Sequence, residues 1–196
     1  MPPIIGDHAV EPELRRATPH DAAAIAEVQV RAWQTAYVGL MPQPYLDSLD
    51  VGQRAEMWRR ATQPRNDGRV LVAQAAAGRI AGFAAFGRER GDEGVDETRD
   101  ATNDATSDRG ELYALNVDPG DWGCGFGSAL SLAVQAALAA DGHSEAVLWV
   151  HPENLRAIRF YRRHGWAADG AYKVADALGV TVPEVRYHRA SAPPEG

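Results

Sequence analysis

The stretch from Leu112 to Ala140 constrains the fold most, because three local signals follow one another without a gap. Leu112-Tyr113-Ala114-Leu115-Asn116-Val117 is short, apolar and closed by Asp118-Pro119, the pattern of a buried strand. Gly120, Gly123, Gly125 and Gly127 then crowd one turn. From Phe126 onward Ala129, Leu130, Ala133, Val134, Ala137 and Leu138 recur at the spacing of one helical face. A helix start carries unpaired N–H donors and roughly half a positive charge, and glycine lets backbone come close to a ligand. Such a turn suits an anion, a phosphate above all. A glycine-rich turn without a ligand would read the same, and spacing alone leaves both open.

Two nucleotide templates fail on this turn. A dinucleotide fingerprint needs glycine at its sixth position, which is Ser128 counting from Gly123 and Leu130 counting from Gly125. A loop ending in Gly-Lys-Ser/Thr needs a lysine, and none stands here.

The flanking sequence supplies the other layers. Glu13–Ala17 reads as a first strand. Thr18 is an N-cap and Pro19 a first helical residue, and Ile25, Val28, Ala32 and Trp33 follow along one side until Tyr37-Val38-Gly39. A second helical region covers Pro44–Thr62. Arg69–Ala76 and Arg79–Arg88 form a hairpin around Ala77-Gly78. Glu145–His151 is a further strand and Asn154–His164 a helix stopped by Gly165. Ala171–Val174 and Val182–Arg189 close the chain as two shorter strands. Residues 1–12 read as a flexible lead-in, 13–189 as one domain and 190–196 as a flexible tail.

Val117-Asp118-Pro119 followed by Gly125-Phe126-Gly127 resembles the coenzyme A loop of the GCN5-related N-acetyltransferases, although Trp122 stands where that family usually has Gln or Arg. Asn154-Leu155-Arg156-Ala157-Ile158-Arg159-Phe160-Tyr161, running on to Gly165-Trp166, is similar to a second segment of the same family at every fixed position. Two segments in the right order, each following a strand and opening a helix, make a specific match. The resemblance spans residues 13–189 and implies the acyl-CoA N-acyltransferase (GNAT) fold. That fold is α/β (α+β), a mixed, mostly antiparallel sheet of about 6–7 strands flanked by about 4 helices.

The resemblance also implies a site. The main chain of Leu115 and Val117 would pair with the pantetheine arm of acetyl-CoA, and a bulge in their strand would splay it from Ala146–Val150 to admit that arm. Gly123, Gly125, Gly127 and Ser128 would hold the pyrophosphate and Asn154 the pantetheine. Tyr161 would protonate the leaving thiolate, a phenol of pKa ~10 being close enough to a thiol of ~8.5. Glu111 or a water relay would take the proton of the amine, and alternation puts Glu111 on the strand face of Tyr113. His151 and His164 are lesser candidates for the base and are expected at the surface. Trp33, Tyr37 and Tyr113 would wall the acceptor pocket. Glu184 and Arg186 share a face, from which they either reach the acceptor or pair as exposed ions, and exposed pairing is the expectation.

The implied reaction passes an acetyl group from acetyl-CoA, as co-substrate, to a primary amine by direct attack in a ternary complex, with no metal. The acceptor is a small molecule or a peptide. Two other readings stay open: an acyl-CoA-binding sensor or scaffold of the same fold, and a protein acetyltransferase acting on N-terminal amines or lysines. A homodimer is compatible with the family. Composition bears on the remaining classes. Of the net charge of −7, −6 sits in residues 91–108, so the rest carries no basic stripe for nucleic acid. Residues 91–109 lack Leu, Ile, Phe, Trp and Tyr and read as a mobile acidic loop. No apolar run reaches the ~20 residues of a membrane span, and a cytoplasmic location is expected. Cys124 is the sole cysteine, which excludes an internal disulfide and reads as a small filler of a tight loop.

Overall fold

The computed structural model describes residues 12–64, 69–90, 108–176 and 180–190. The acidic loop expected at 91–109 therefore lies outside the described residues except at its last two positions, as do the lead-in up to residue 11 and the tail beyond Ala190. Seven strands form one sheet: β1 (Glu13–Arg16), β2 (Arg69–Gln74), β3 (Ile80–Arg88), β4 (Arg109–Val117), β5 (Glu145–Val150), β6 (Ala167–Asp176) and β7 (Thr181–Ala190). Their order across the sheet is β1-β2-β3-β4-β5-β7-β6. Among the described residues five α-helices accompany them: α1 (Ala22–Ala36), α2 (Gln43–Asp47), α3 (Val51–Ala61), α4 (Phe126–Ala140) and α5 (Leu155–Arg163).

Neighbouring strands are antiparallel except β4 and β5. That pair is joined through α4, and a parallel pair needs a crossover of this length. The central strands are apolar on both faces because helices cover both. Val70, Val72, Phe83 and Ala85 pack against Ile25 and Val28 of α1 and Trp58 of α3. Ala84, Phe86, Leu112 and Val117 pack against Leu130, Val134 and Leu138 of α4 and Ile158 and Tyr161 of α5. Inside the first layer the Trp58 indole donates to Gln29 Oε1 at 2.8 Å, which satisfies both buried groups.

Two elements differ from the sequence expectation. The second helical region splits at Ser48–Asp50, because Asp50 accepts from the Gln53 N–H at 2.7 Å and so starts α3 anew. The last two strands are longer than expected, ten residues each. Asp169-Gly170 carries a turn signature, but here it is absorbed as a register shift between Ala168 and Tyr172, with Gly170 at φ 87°.

Candidate active site

The opening in the sheet comes from a mismatch between two ladders. Opposite β3, Ala85 pairs with Ala114 and Phe86 with Leu112, so Tyr113 is an extra residue and β4 bulges there. On its other side β4 pairs with β5 only from Arg109–Glu145 to Leu112–Leu148. Beyond that point β4 continues to Val117 and β5 to Val150 with no pairing between them. The Asp118 N–H donates to Ala81 O at 2.7 Å, and alternation then turns the main-chain groups of Asn116 and Ala114 toward β3. Those of Leu115 and Val117 face the gap. The bulge and splay expected from the resemblance are both present.

A cleft of about 480 Å³ occupies this gap, a size suited to small-molecule ligands. Of the sequence-predicted site residues, all except Glu111, the lesser candidate His151 and Arg186 line it. The glycine loop closes one end. Pro119–Asp121 make a single turn, Gly123 takes φ 84°, and Gly125 caps α4 at φ 90°. A side chain at Gly123 or Gly125 would meet no atom within 4 Å, so it is backbone conformation that asks for glycine there. The N–H groups of Phe126, Gly127 and Ser128 fall in the first turn of α4, where no helical acceptor exists for them. Two arginines brace the loop from behind: Arg79 forks onto Asp121 at 2.7 and 2.8 Å, and Arg31 reaches Asp118 at 2.7 Å.

Trp122, the departure from the family pattern, turns inward. Its indole N–H donates to Val117 O at 2.8 Å, which leaves the Val117 N–H to the cleft. The Arg156 guanidinium lies over its ring, 3.2 Å from the centroid. Among the described residues Arg156 is in no salt bridge, and it lines the cleft beside the glycine loop. Sequence reasoning assigned Arg156 no role. Its exposed cationic position in α5, one turn before the tyrosine, was the only available signal.

Asn154 caps α5, with its Oδ1 accepting from the Ala157 N–H at 3.1 Å. Burial raises the Tyr37 phenol. Burial also pushes Tyr161 well above the ordinary tyrosine value, with Tyr37 adding to the rise. Tyr161 is therefore a weaker acid than a free phenol, a correction to the value of ~10 assumed from sequence. It is firmly protonated at neutral pH. Trp33 and Tyr37 stack at 5.3 Å between centroids and form the wall contributed by α1. The Tyr113 hydroxyl donates to Arg88 O at 2.5 Å, and the Arg90 guanidinium covers its ring at 3.7 Å.

Glu111 is buried and does not line the cleft. Its carboxylate accepts from the Arg90 N–H at 2.8 Å and lies 3.7 Å from the Arg90 guanidinium. Burial raises its pKa, and Arg90 opposes the rise. Glu184 of β7 lines the cleft, the alternative to the exposed ion expected of it, whereas Arg186 does not line it. Burial raises Glu184 too, Lys173 at 3.7 Å lowers it, and Glu111 raises it again. His151 is buried, not at the surface, and its Nδ1 accepts from the Glu153 N–H at 3.1 Å. His164 is tied to Phe160 O at 2.8 Å. Cys124 is exposed on the loop rather than packed within it.

Residues 30–166 match the model of the acetyltransferase (GNAT) family. The chain is 31% identical over 175 residues to the uncharacterized N-acetyltransferase YuaI of Bacillus subtilis, covering 88% of this chain and 89% of the relative. It is 41% identical over 70 residues to the mycothiol acetyltransferase of Gordonia bronchialis, 36% of this chain and 22% of that one. Across the mycothiol acetyltransferases it matches, the chain spans 20% to 42% of their length. The fold matches the PaiA N-acetyltransferase of Thermoplasma acidophilum, solved in complex with coenzyme A, with a TM-score of 0.69 at 19% identity over 92% of this chain and 99% of that one. It also matches YncA of Salmonella typhimurium, solved with its cofactor acetyl-CoA, with a TM-score of 0.66 at 21% identity over 95% and 97% of the two chains. With a seven-stranded mixed sheet split between β4 and β5 and a family match that covers the split, both segments after it and the loop between, the chain belongs to the acetyltransferase (GNAT) family.

Proposed function

We propose that this protein transfers the acetyl group of acetyl-CoA to a primary amine, by direct attack within a ternary complex. One observation carries the reading: the splay of β4 from β5 runs straight into a helix start whose backbone donors are exposed by glycine. An extended amide chain fits the first feature and a diphosphate the second. Leu115 and Val117 bind the pantetheine through main-chain groups, and Asn154 adds its amide. The N–H groups of Gly123, Gly125, Gly127 and Ser128 hold the pyrophosphate. Arg156, braced by Trp122, supplies from α5 the side-chain cation that position 122 lacks.

The Val117 N–H donates to the thioester carbonyl as negative charge grows there. Glu111 takes the proton of the attacking amine through water, its raised pKa making it the stronger base. Tyr161 gives its proton to the departing sulfur. The low polarity that weakens this phenol as an acid also raises the proton affinity of a thiolate leaving beside it, so the transfer stays matched. The aromatic wall of Trp33, Tyr37 and Tyr113 suits a small acceptor better than a protein surface.

The test is release of the coenzyme A thiol over a broad amine panel, together with calorimetry for acetyl-CoA. Turnover is expected with at least one small amine, and Tyr161→Phe should lower kcat by about 10²–10⁴ while leaving acetyl-CoA affinity in place. Binding without turnover on any amine would instead identify an acyl-CoA sensor. Absence of binding would overturn the reading altogether.

A further inference from the structure

On the sheet face that carries Glu111 and Tyr113, the cleft ends in a second arrangement. Trp149 of β5 lies opposite Arg186 of β7, and Lys173 of β6 lies opposite Glu184 of β7. The Lys173 Nζ stands 4.0 Å from the centroid of the Trp149 ring and 3.7 Å from Glu184 Oε2. An indole face and a carboxylate thus hold one primary ammonium between them. Trp149 and Glu184 line the cleft, whereas Lys173 does not. The cation reaches them from β6 on a flexible four-carbon stem, and its side chain is 29% exposed. The Arg186 guanidinium lies 5.6 Å from the centroid of the same ring, but it is held by Asp169 at 2.7 Å. Lys173 is therefore the cation free to withdraw.

An ammonium on an aromatic face beside a carboxylate is attracted by the ring quadrupole and by the charge, and both attractions strengthen as water is excluded. Glu111 nearby adds to the negative potential that Glu184 feels. A site that already seats the chain's own ammonium can seat another of the same chemistry entering from the cleft.

We propose that Trp149 and Glu184 form the docking site for a second cationic group on the acceptor, with Lys173 holding that place until the acceptor displaces it. The acceptor class that follows is a dication, one amine reacting near Tyr161 and a second ammonium seated between Trp149 and Glu184. This rests on the acetyl-transfer reading above and deepens it. Glu184 and Trp149 act as specificity-determining residues that select the acceptor, and they take no part in the bond changes.

The experiment compares α,ω-diaminoalkanes of increasing length with 1-aminoalkanes of the same length, reading thiol release and, separately, calorimetric binding to the enzyme saturated with coenzyme A. The best diamine should exceed its matched monoamine in kcat/KM by about tenfold or more. Glu184→Gln should raise KM for the diamine far more than for its matched monoamine and so remove the preference. Lys173→Met should tighten diamine binding, since the competing ammonium is gone, and Glu184→Asp should restore part of the preference. Equal use of diamines and monoamines by the unaltered enzyme would overturn the proposal, as would a Glu184→Gln variant that weakens both alike. The calorimetric arm decides the matter even if turnover is slow. Failure of acetyl-CoA itself to bind is a separate outcome that removes the acetyl-transfer reading and this proposal with it.

Discussion

Gly125→Ala isolates the backbone requirement at the mouth of the glycine loop. Gly125 sits at φ 90° as the cap of α4, and an added methyl would meet no atom within 4 Å. The cost is therefore conformational and not steric. Holding an L residue in that region costs about 1–2 kcal/mol. For a domain of this size about 1 kcal/mol moves the melting temperature by about 2–4 °C, so the expected loss is roughly 2–8 °C. Gly127→Ala is the matched control. Gly127 lies inside α4, where alanine gains about 0.5–1 kcal/mol over glycine. Its new methyl would stand 3.3 Å from Phe160 Cε2, which offsets part of that gain. Thermal unfolding without ligand should therefore show a clear loss for Gly125→Ala and little change for Gly127→Ala. Equal melting temperatures for the two variants, or a loss confined to Gly127→Ala, would refute the assignment of left-handed strain to position 125.

Other perturbations give distinct signatures. Arg156→Ala should weaken acetyl-CoA binding by about 5- to 30-fold, the range of one charge-assisted contact at a part-exposed lip, and should flatten the salt dependence of affinity in calorimetry. Glu111 has a folded pKa raised by burial, so its contribution to stability is fully present below the ordinary glutamate range and is lost as pH rises through the folded value. Urea unfolding of Glu111→Gln should accordingly show stability relative to the parent improving as pH rises from acid to neutral, and a difference independent of pH would contradict the burial. Gly110→Ala would set a methyl 2.7 Å from Leu138 Cδ2 in a fully buried contact, and a loss of about 1–3 kcal/mol in the same assay is expected.

The legible part of the site is the part written in local sequence. A strand, a glycine turn and an amphipathic helix announce themselves by period and by backbone chemistry; the family resemblance, not those signals, implied that Leu115, Val117, Gly123, Gly125 and Gly127 share a site, and all five line the cleft. Asn154 and Tyr161 were legible through the resemblance, and an N-cap and a tyrosine two turns along one helix keep their mutual spacing wherever the helix docks. Glu184 was misjudged for the opposite reason. Alternation along β7 places it on a face, but β6, Lys173 and Trp149 decide whether that face is wet.

Local pattern in this chain determined which segments become strands and helices and where the backbone must expose donors, since these depend on residues a few positions apart. Tertiary structure alone decided that β4 leaves β5 at Leu112 in particular, that the Trp122 ring carries Arg156 from α5, and that Glu111 is kept out of the cleft lining while Glu184 is part of it. The physical reason is range: hydrogen-bond period and backbone strain act between neighbours along the chain, whereas desolvation and charge pairing depend on whatever the fold brings alongside.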